Sequence, residues 1–263
     1  MRTREQLVQD LRELGVKPGD LVMVHASLRA MGPVEGGVDG VLAGLDAAVG
    51  PDGTLLMTLG ARNDWAWVNE RPESERERLL ADAVPFDPWR TPAQEDVGYL
   101  AEAFRQRPGT LVSDHPEGRF GARGRRAAEL LAQPPWNDYY GPDSALDRAA
   151  RHGLRVLRLG ADLNTVTLLH LAEYLVRLPT KRRVRRTVRV LGPSGPEVRT
   201  VDCLDDEFGI VDHPDGDYFA LLLRDYLAQG RARTGRVGNA VSELLDGADL
   251  LAFGVAWMAE HLR

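Results

Sequence analysis

Hydrophobic and polar positions follow two different spacings in the first quarter of the chain. The leucines of segment 7–14 recur every three or four residues, a spacing that predicts an amphipathic helix. Segments 21–25 (LVMVH) and 54–59 (TLLMTL) are short, mostly apolar runs that predict buried strands, and segment 38–49 between them predicts a helix. This alternation of helix and strand indicates an α/β layered fold.

Another strand followed by a helix is predicted in the middle of the chain. Segment 154–159 is half apolar and ends at Gly160, and an Asn/Thr-containing turn then opens a strongly apolar helix. The side-chain oxygen of Asn164 or Thr165 can cap this helix by accepting a bond from one of its free N–H groups. A strand therefore leads directly into a helix at this point.

One face of this helix carries three polar residues. His170 is expected about one turn inside the helix, with Thr167 three residues before it and Glu173 three residues after it. The histidine would stand at the carboxyl end of a strand, where open α/β sheets form their binding crevices. Because a lone histidine in an apolar helix is more often a core residue, its function depends on the residues around it.

The pattern loosens over residues 61–94, which contain three of the five tryptophans together with acids and prolines. A long aromatic and acidic segment between core elements is more typical of the wall of a binding site than of a folding unit. We therefore expect one domain over residues 1–263, with an insertion at about 61–94.

Two antiparallel strands are predicted in the last third of the chain. Segments 181–190 and 197–204 flank a Gly/Pro-rich turn and predict a hairpin. Three acids, Asp205, Asp206 and Glu207, follow it directly. Acid runs are usually solvated, but these follow a strand, so one or two of them can point at the histidine and raise its basicity.

A glycine-rich loop follows the first strand. His25–Arg29 ends the strand, and Gly32, Gly36 and Gly37 come soon after it. Small residues and glycines allow backbone N–H groups to approach a ligand closely, and the N-terminus of the following helix suits a phosphate group. A tight β-to-α turn would give the same pattern, so the loop alone does not identify a ligand.

Composition limits the classes of partner. The chain has 263 residues, and its net charge of −6 argues against a nucleic-acid binder and is compatible with a cationic ligand. Its single cysteine, Cys203, excludes a disulfide framework and a Cys-based zinc site, and it indicates a reducing cytoplasm. The N-terminal segment lacks the apolar core of a signal peptide, and no apolar run approaches the ~20 residues that span a bilayer. We expect a cytoplasmic protein without a membrane partner.

Five segments, in this order and at this approximate spacing, resemble one known family of enzymes. They are HASLRAMGPVEGG at 25–37, PFDP at 85–88, SDHPEGRFGARG at 113–124, LGADLNTVTLLHLAE at 159–173 and GRVGNA at 235–240. The family is that of the aminoglycoside 3-N-acetyltransferases, and the resemblance covers nearly the whole chain.

The resemblance implies an acetyl-CoA-dependent N-acetyltransferase that modifies the 3-amino group of aminoglycoside antibiotics and so confers resistance. It also implies a three-layer α/β/α fold with a central mixed sheet and a small antiparallel hairpin region, unrelated to the common GNAT acetyltransferases. Acetyl-CoA would be the co-substrate, no metal would be needed, and the protein would be a monomer or a homodimer. The insertion at 61–94 would form part of the substrate site.

The resemblance also assigns roles to individual residues. His170 matches the catalytic histidine of the family. The acidic partners after the hairpin match Asp205 and Glu207, with Asp206 as an open alternative. The residues expected to bind CoA are Ser27, Leu28, Arg29, Val34, Gly36, Gly37 and His115.

The chemistry implied by the family makes a clear physical demand. An aminoglycoside amine is largely an ammonium ion at neutral pH, so the reaction needs a base with a pKa near 7, and an imidazole meets that need. We expect His170 to take the proton, with Glu207 or Asp205 orienting its ring. Thr167, or a backbone N–H at the helix start, is expected to stabilise the oxyanion. The expected substrate-binding carboxylates are Asp64, Asp206 and Glu173.

Other mechanisms and functions remain open at this point. Cys203, His170 and Asp205 could form an acyl-enzyme triad, although a lone cysteine at a strand end is more often simply buried. The residues that could hold a metal in a hydrolase are His25, His115, His170 and Glu173, although their spacing is not HExxH. An N-acyltransferase acting on another amine and a non-catalytic aminoglycoside-binding protein are the remaining alternatives.

Overall fold

The computed structural model describes residues 1–214 and 216–262. The strands, in chain order, are β1 (Leu21–Ala26), β2 (Thr54–Thr58), β3 (Leu111–Val112), β4 (Phe120–Gly124), β5 (Arg155–Leu159), β6 (Arg183–Gly192), β7 (Gly195–Leu204), β8 (Arg233–Val237) and β9 (Ala240–Asp246). Seven of them form one sheet in the order β3-β4-β2-β1-β5-β9-β8, and β6 and β7 form a separate hairpin. The three central strands β2, β1 and β5 are parallel, β4 and β9 pair with them antiparallel, and the outer strands β3 and β8 pair antiparallel with β4 and β9, so the sheet is mixed.

Helices cover both faces of this sheet. They are α1 (Arg4–Leu14), α2 (Leu28–Met31), α3 (Gly37–Val49), α4 (Glu73–Leu79), α5 (Tyr99–Gln106), α6 (Ala127–Leu131), α7 (Ala145–Arg151), α8 (Leu168–Leu175), α9 (Tyr218–Ala228) and α10 (Gly247–His261), with short 3-10 turns at Ala66–Glu70 and Glu95–Val97. The core on one face is formed with α1, α3 and α5, and the core on the other face with α6 to α10 and the hairpin. The expected three-layer fold with a mixed sheet and a separate hairpin is therefore confirmed.

The alternation of side chains along the central strands explains these two cores. Val22 and Val24 of β1 point into the core with α3, whereas Leu21 and Met23 point into the core with α8. Since β1 is apolar on both faces, it is buried between two layers of helices.

A crevice forms where the chain leaves β1 and β5. These neighbouring parallel strands are followed by helices on opposite faces, because α3 packs on one face and α8 on the other. At such a switch point the two connecting segments diverge and leave a cleft at the carboxyl ends of the strands. The residues directly after β1 and the segment before His170 both line this cleft.

Two predictions from the apolar pattern need correction. The helix that carries His170 begins at Leu168, after Thr167, and no side chain caps it, so neither Asn164 nor Thr165 has that role. The strand β4 was not predicted, because its sequence FGARG lacks an apolar run. None of the helices in the two described ranges is both long and apolar enough to cross a membrane.

Candidate active site

The chain reaches the site through a turn that only glycine allows. Gly160 follows β5 with φ of +64°, and a Cβ built on it would lie 2.6 Å from Cβ of Ala30 and 3.0 Å from Cβ of Ala240. A side chain here would meet both a strained backbone and two neighbouring segments. The turn therefore depends on glycine, and it delivers α8 to the carboxyl end of the sheet.

His170 and Glu173 form a pair on one turn of α8. Nδ1 of His170 lies 2.8 Å from Oε2 of Glu173. The spacing of three residues places both side chains on the same face of the helix. The Glu173 side chain is only 2% exposed and that of His170 is 19% exposed, so the ring remains reachable while the carboxylate is enclosed.

Aromatic rings hold the imidazole between them. The ring of Tyr140 stacks on His170 with the centroids 5.0 Å apart and the planes 12° apart, and the ring of Phe219 packs at 4.9 Å. Because an ionised carboxylate can only accept hydrogen bonds, we assign the ring proton to Nδ1 of His170. Its Nε2 then carries the lone pair.

Carboxylates set the basicity of this ring. Burial alone would lower the pKa of His170, but the contact with Glu173 outweighs it and raises the pKa above its ordinary value, with smaller contributions from Asp206 and Asp217. A histidine of this kind can accept and release a proton near neutral pH.

His170 lies at the junction of two cavities. The large cavity, of about 960 Å³, opens at the switch point and is lined by Ser27–Arg29, segment 161–167 and the start of α5. The acidic cavity, of about 440 Å³, is lined by residues 206–209 and 211–213 and by the start of α9. Three residues line both cavities: Asn164, His170 and Phe219.

The large cavity contains part of the predicted CoA site. Ser27, Leu28 and Arg29 line it, and Thr167 also lines it, accepting a hydrogen bond of 3.0 Å from the Thr58 hydroxyl. Three of the other predicted residues do not line it and lie at or just before the start of α3: Val34, Gly36 and Gly37.

His115 is in a different environment from the one expected. Its ring is fully buried, with Nε2 2.8 Å from the carbonyl oxygen of Trp136 and Nδ1 accepting from the N–H of Gly118 at 2.8 Å. Burial lowers the pKa of His115 to about 4. Both ring nitrogens are therefore engaged with the backbone, and the large cavity does not include this residue. The same contacts remove His115 from the set proposed for a metal.

Acids line the acidic cavity, but neither Asp205 nor Glu207 contacts the histidine as expected, and Asp206 contributes only a smaller, indirect effect on its pKa. Asp205 pairs with Arg182 at 3.0 Å and accepts the N–H groups of Glu207 and Phe208. Glu207 approaches Arg186 at 3.9 Å, so the carboxylate that meets His170 is neither of these acids. The carboxylate that contacts His170 is that of Glu173, which was expected to bind the substrate. Its position three residues after the histidine is the feature of the sequence that indicates this contact.

The other two carboxylates that were expected to bind the substrate, Asp206 and Asp64, lie in two places. Asp206 faces the acidic cavity, 2.7 Å from Arg186 and 2.6 Å from the hydroxyl of Tyr139. Asp64 is exposed and pairs with Arg62 at 2.9 Å, and it lines a third cavity of about 620 Å³ formed largely by the 61–94 segment.

The environment of Cys203 does not suit a nucleophile. Its side chain is fully buried, and Sγ lies 3.7 Å from the Tyr139 hydroxyl. Burial raises the pKa of the thiol to about 12, so the reactive thiolate is not available near neutral pH. Asp205 is engaged by Arg182 instead of His170, so the proposed triad is not assembled.

A buried carboxylate, an accessible imidazole and two adjoining cavities define an α/β enzyme site that can bring two ligands together. The family model for aminoglycoside 3-N-acetyltransferase matches residues 23–259 of this chain. Aminoglycoside N(3)-acetyltransferase VII of Streptomyces paromomycinus is 39% identical over 99% of this chain and 92% of its own length. The chain therefore belongs to the aminoglycoside 3-N-acetyltransferase family.

Two solved structures of similar proteins contain ligands. AAC-IIIb, in a binary complex with CoASH, is 39% identical with a TM-score of 0.91, and the match covers 98% of this chain and 96% of that one. Sisomicin-bound AAC-VIa is 36% identical with a TM-score of 0.91, and the match covers 98% of each chain.

Proposed function

We propose that this enzyme transfers the acetyl group of acetyl-CoA directly to the 3-amino group of an aminoglycoside, with His170 as the general base. The observation that carries the proposal is the placement of His170 between two cavities, with Nδ1 held 2.8 Å from Oε2 of the buried Glu173. A base for transfer between two substrates must reach both of them.

Acetyl-CoA is assigned to the large cavity. At about 960 Å³ the cavity is at the upper end of the usual range for ligand pockets, ~300–1,000 Å³. The similar enzyme AAC-IIIb forms a binary complex with CoASH, which supports the assignment. Ser27, Leu28 and Arg29 would hold the pantetheine and pyrophosphate, and we infer a cytoplasmic location from the use of acetyl-CoA.

The aminoglycoside is assigned to the acidic cavity. Asp206, Glu207, Asp212 and Asp217 line it and supply the negative charge that a polycationic sugar requires. The similar enzyme AAC-VIa has been solved with sisomicin bound, which supports an aminoglycoside as the substrate.

The outer rings of the substrate are assigned to the third cavity, next to the insertion. Arg186 joins the two regions, because it lies 2.7 Å from Asp206 of the acidic cavity and 3.8 Å from Glu117 of the third cavity. Asp64 lies on the wall of this cavity. Residues 61–94 would thereby form part of the substrate site.

Each proton and electron pair then has a defined path. Nε2 of His170 accepts a proton from the substrate ammonium, and the freed amine attacks the thioester carbonyl carbon. The C–N bond forms, the C–S bond breaks, and CoA leaves as its thiol with one proton, while one further proton passes to solvent. Glu173 orients the ring and stabilises the imidazolium.

Thr167 is proposed to stabilise the tetrahedral oxyanion. Its Oγ1 accepts a bond from Thr58, so its own O–H remains free to donate into the large cavity. A donor of this kind contributes ~3 kcal/mol to the transition state in comparable sites.

The decisive experiment is a thiol-release assay with acetyl-CoA and a panel of aminoglycosides. We expect His170→Ala to lose turnover by at least about 100-fold, with CoA binding retained in calorimetry, because a positioned base contributes about that much. His152→Ala is the matched control, since His152 pairs with Glu129 at 2.6 Å outside the residues that line these cavities.

The products discriminate among the alternatives. Acetylation at the 3-amino group, located by NMR, supports the proposal. Aminoglycoside binding without thiol release would indicate a non-catalytic binding protein. Thiol release with other amines alone would indicate an acyltransferase with a different substrate.

A further inference from the structure

The hydroxyl of Tyr218 connects two parts of the site that lie far apart in the sequence. Tyr218 is the first residue of α9, and its side chain is buried. The hydroxyl donates to Oε1 of Glu173 and accepts the backbone N–H of Ile210 at 3.0 Å. The other oxygen of Glu173 holds His170, so one phenol is two hydrogen bonds away from the imidazole.

The segment bound by the second hydrogen bond forms a wall of the acidic cavity. Ile210 itself is buried and does not line the cavity, but its chain neighbours Gly209 and Val211 do, and its carbonyl accepts the backbone N–H of Arg182 at 2.6 Å. Gly209, next to it, has φ of +80°, and a Cβ there would lie 2.6 Å from Cε1 and 2.9 Å from the hydroxyl oxygen of Tyr218. The wall therefore packs directly against the phenol ring.

We propose that Tyr218 is a positioning residue: it fixes the Glu173 carboxylate that orients His170, and it ties that pair to the wall of the acidic cavity. This inference rests on the proposed function of the site. A single side chain, that of Tyr218, would hold both the wall of the acidic cavity and the carboxylate that orients the general base.

The charges around His170 determine what the loss of the hydroxyl would do. Glu173 on its own helix, Asp206 after β7 and Asp217 before α9 all favour the imidazolium, while burial among Tyr140 and Phe219 opposes it. Without the phenol hydroxyl, Oε1 of Glu173 loses this donor, although the side chain is only 2% exposed. The carboxylate must then rotate towards another donor or leave Oε1 without a partner, and its hold on Nδ1 weakens.

The first test is Tyr218→Phe. The titration of His170, followed by imidazole NMR and assigned with His170→Ala, should move to lower pH by about one unit, since burial then opposes a weaker carboxylate. We expect kcat to fall about 10- to 100-fold, the loss typical of a hydrogen bond to a charged group, with the KM for acetyl-CoA unchanged. A purely structural tyrosine would not shift this titration.

Tyr226→Phe is the matched control. Tyr226 lies on the same helix, is equally buried and donates to a carboxylate, that of Asp249, at 2.8 Å. The variant loses the same kind of hydrogen bond away from the cavities. Its His170 titration and kcat should match those of the wild type.

A second variant changes the residue of the cavity wall that packs against the Tyr218 ring. Gly209→Ala places a methyl group against the Tyr218 ring and should lower kcat and raise the aminoglycoside KM together, each by several-fold. Gly230→Ala adds a side chain at a similar positive φ, +66°, with nothing within 4 Å, and should leave both parameters unchanged. This pair also serves as the test if Tyr218→Phe does not fold.

The outcomes separate this inference from the proposed function. If the wild type acetylates aminoglycosides and Tyr218→Phe keeps both its kcat and the titration of His170, the positioning role is overturned and the proposed function stands. If the wild type turns over no aminoglycoside, the proposed function fails, while the NMR titration of Tyr218→Phe still decides whether the phenol supports Glu173 and His170.

Discussion

Glu173 lies three residues after His170 on the same turn of α8, and its Oε2 is 2.8 Å from Nδ1 of the imidazole. The other oxygen accepts from the Tyr218 hydroxyl, which itself accepts from Ile210. Each oxygen of the carboxylate thus faces a donor. The orientation of the histidine follows from this arrangement.

The substitution Glu173→Gln should therefore disturb the tautomer of His170. The amide oxygen must face the Tyr218 donor, so the amide NH₂ faces Nδ1 and forces the ring proton onto Nε2. A base with the wrong tautomer cannot accept the substrate proton, and kcat should fall by about 10³-fold or more. Steady-state kinetics with acetyl-CoA and an aminoglycoside measure this loss.

The pH profile gives a second readout of the same variant. Glu173 raises the pKa of His170, so its neutralisation should move the acid limb of kcat/KM to lower pH. Glu129→Gln, in the other Glu–His pair with His152, is the control and should leave the profile unchanged. A wild-type kcat and an unmoved acid limb in Glu173→Gln would contradict the role given to Glu173.

The charge of Asp217 is predicted to attract the substrate. Asp217 caps α9 by accepting the N–H of Phe219 at 2.9 Å, and it lines the acidic cavity. Asn is an equally good cap, so Asp217→Asn removes the charge while preserving the helix end. The aminoglycoside KM should rise several-fold at low salt and less at high salt, because salt screens the attraction.

Asp225→Asn is the control for this prediction. Asp225 lies on the same helix and accepts the indole N–H of Trp257 at 2.9 Å, and it does not line the acidic cavity. Equal effects of the two substitutions on KM would show that overall charge, and not the cavity, attracts the substrate.

Cys203 is predicted to be dispensable for turnover. Burial holds the pKa of its thiol at about 12, so it should react with thiol reagents only after unfolding. Cys203→Ala should keep kcat within about two-fold and lower the free energy of unfolding by ~1–2 kcal/mol, since it removes a small buried side chain. Loss of turnover in a folded Cys203→Ala variant would restore the acyl-enzyme scheme.

Arg158 is predicted to be the main electrostatic anchor of the segment before His170. Its fully buried guanidinium pairs with Glu243 at 3.1 Å and donates to the carbonyl oxygens of Ala161 and Asp162 at 2.8 and 2.7 Å. Arg158→Met leaves these acceptors without their donor and should lower the free energy of unfolding by ~3–5 kcal/mol in denaturant titrations. The KM for acetyl-CoA should also rise, because Ala161 and Asp162 line the large cavity.

Two further variants make this prediction specific. Arg155→Met, on the same strand, breaks a partly exposed pair with Asp20 at 3.4 Å and should cost at most ~1 kcal/mol. The double variant Arg158→Met/Glu243→Met should recover part of the stability, since it no longer buries an unpaired carboxylate. If Arg155→Met and Arg158→Met were equally destabilising, the anchoring role would be wrong.

The strands β1 and β2 could be predicted from the sequence because each is a short, mostly apolar run. β1 and β2 needed no knowledge of their neighbours, since strands covered on both faces are apolar throughout. β4 could not be predicted in this way. Its residues FGARG become a strand because β2 offers an antiparallel edge along its whole length, and that edge exists only after folding.

The same distinction applies to the site. His170 and Glu173 were visible as neighbours on one helix, and the error lay in giving the supporting role to acids further along the chain. Tyr140, Tyr218 and Phe219 carried no local signal, because tertiary packing alone brings their rings to the imidazole and its carboxylate. Local spacing predicted the pair, and only the folded chain revealed what encloses it.

Because the imidazole of His170 lines both the large cavity and the acidic cavity, water can reach it from either one. When a ligand fills only the large cavity beside Ser27, water can still reach the ring through the acidic cavity beside Asp217, and the reverse also holds. In the proposed reaction, bulk solvent is excluded from the ring only when both substrates are bound. The carboxylates around His170 then act on its proton with the least screening by water. In the proposed reaction, the position of His170 between two cavities therefore makes proton transfer most favourable in the ternary complex, when both substrates are bound.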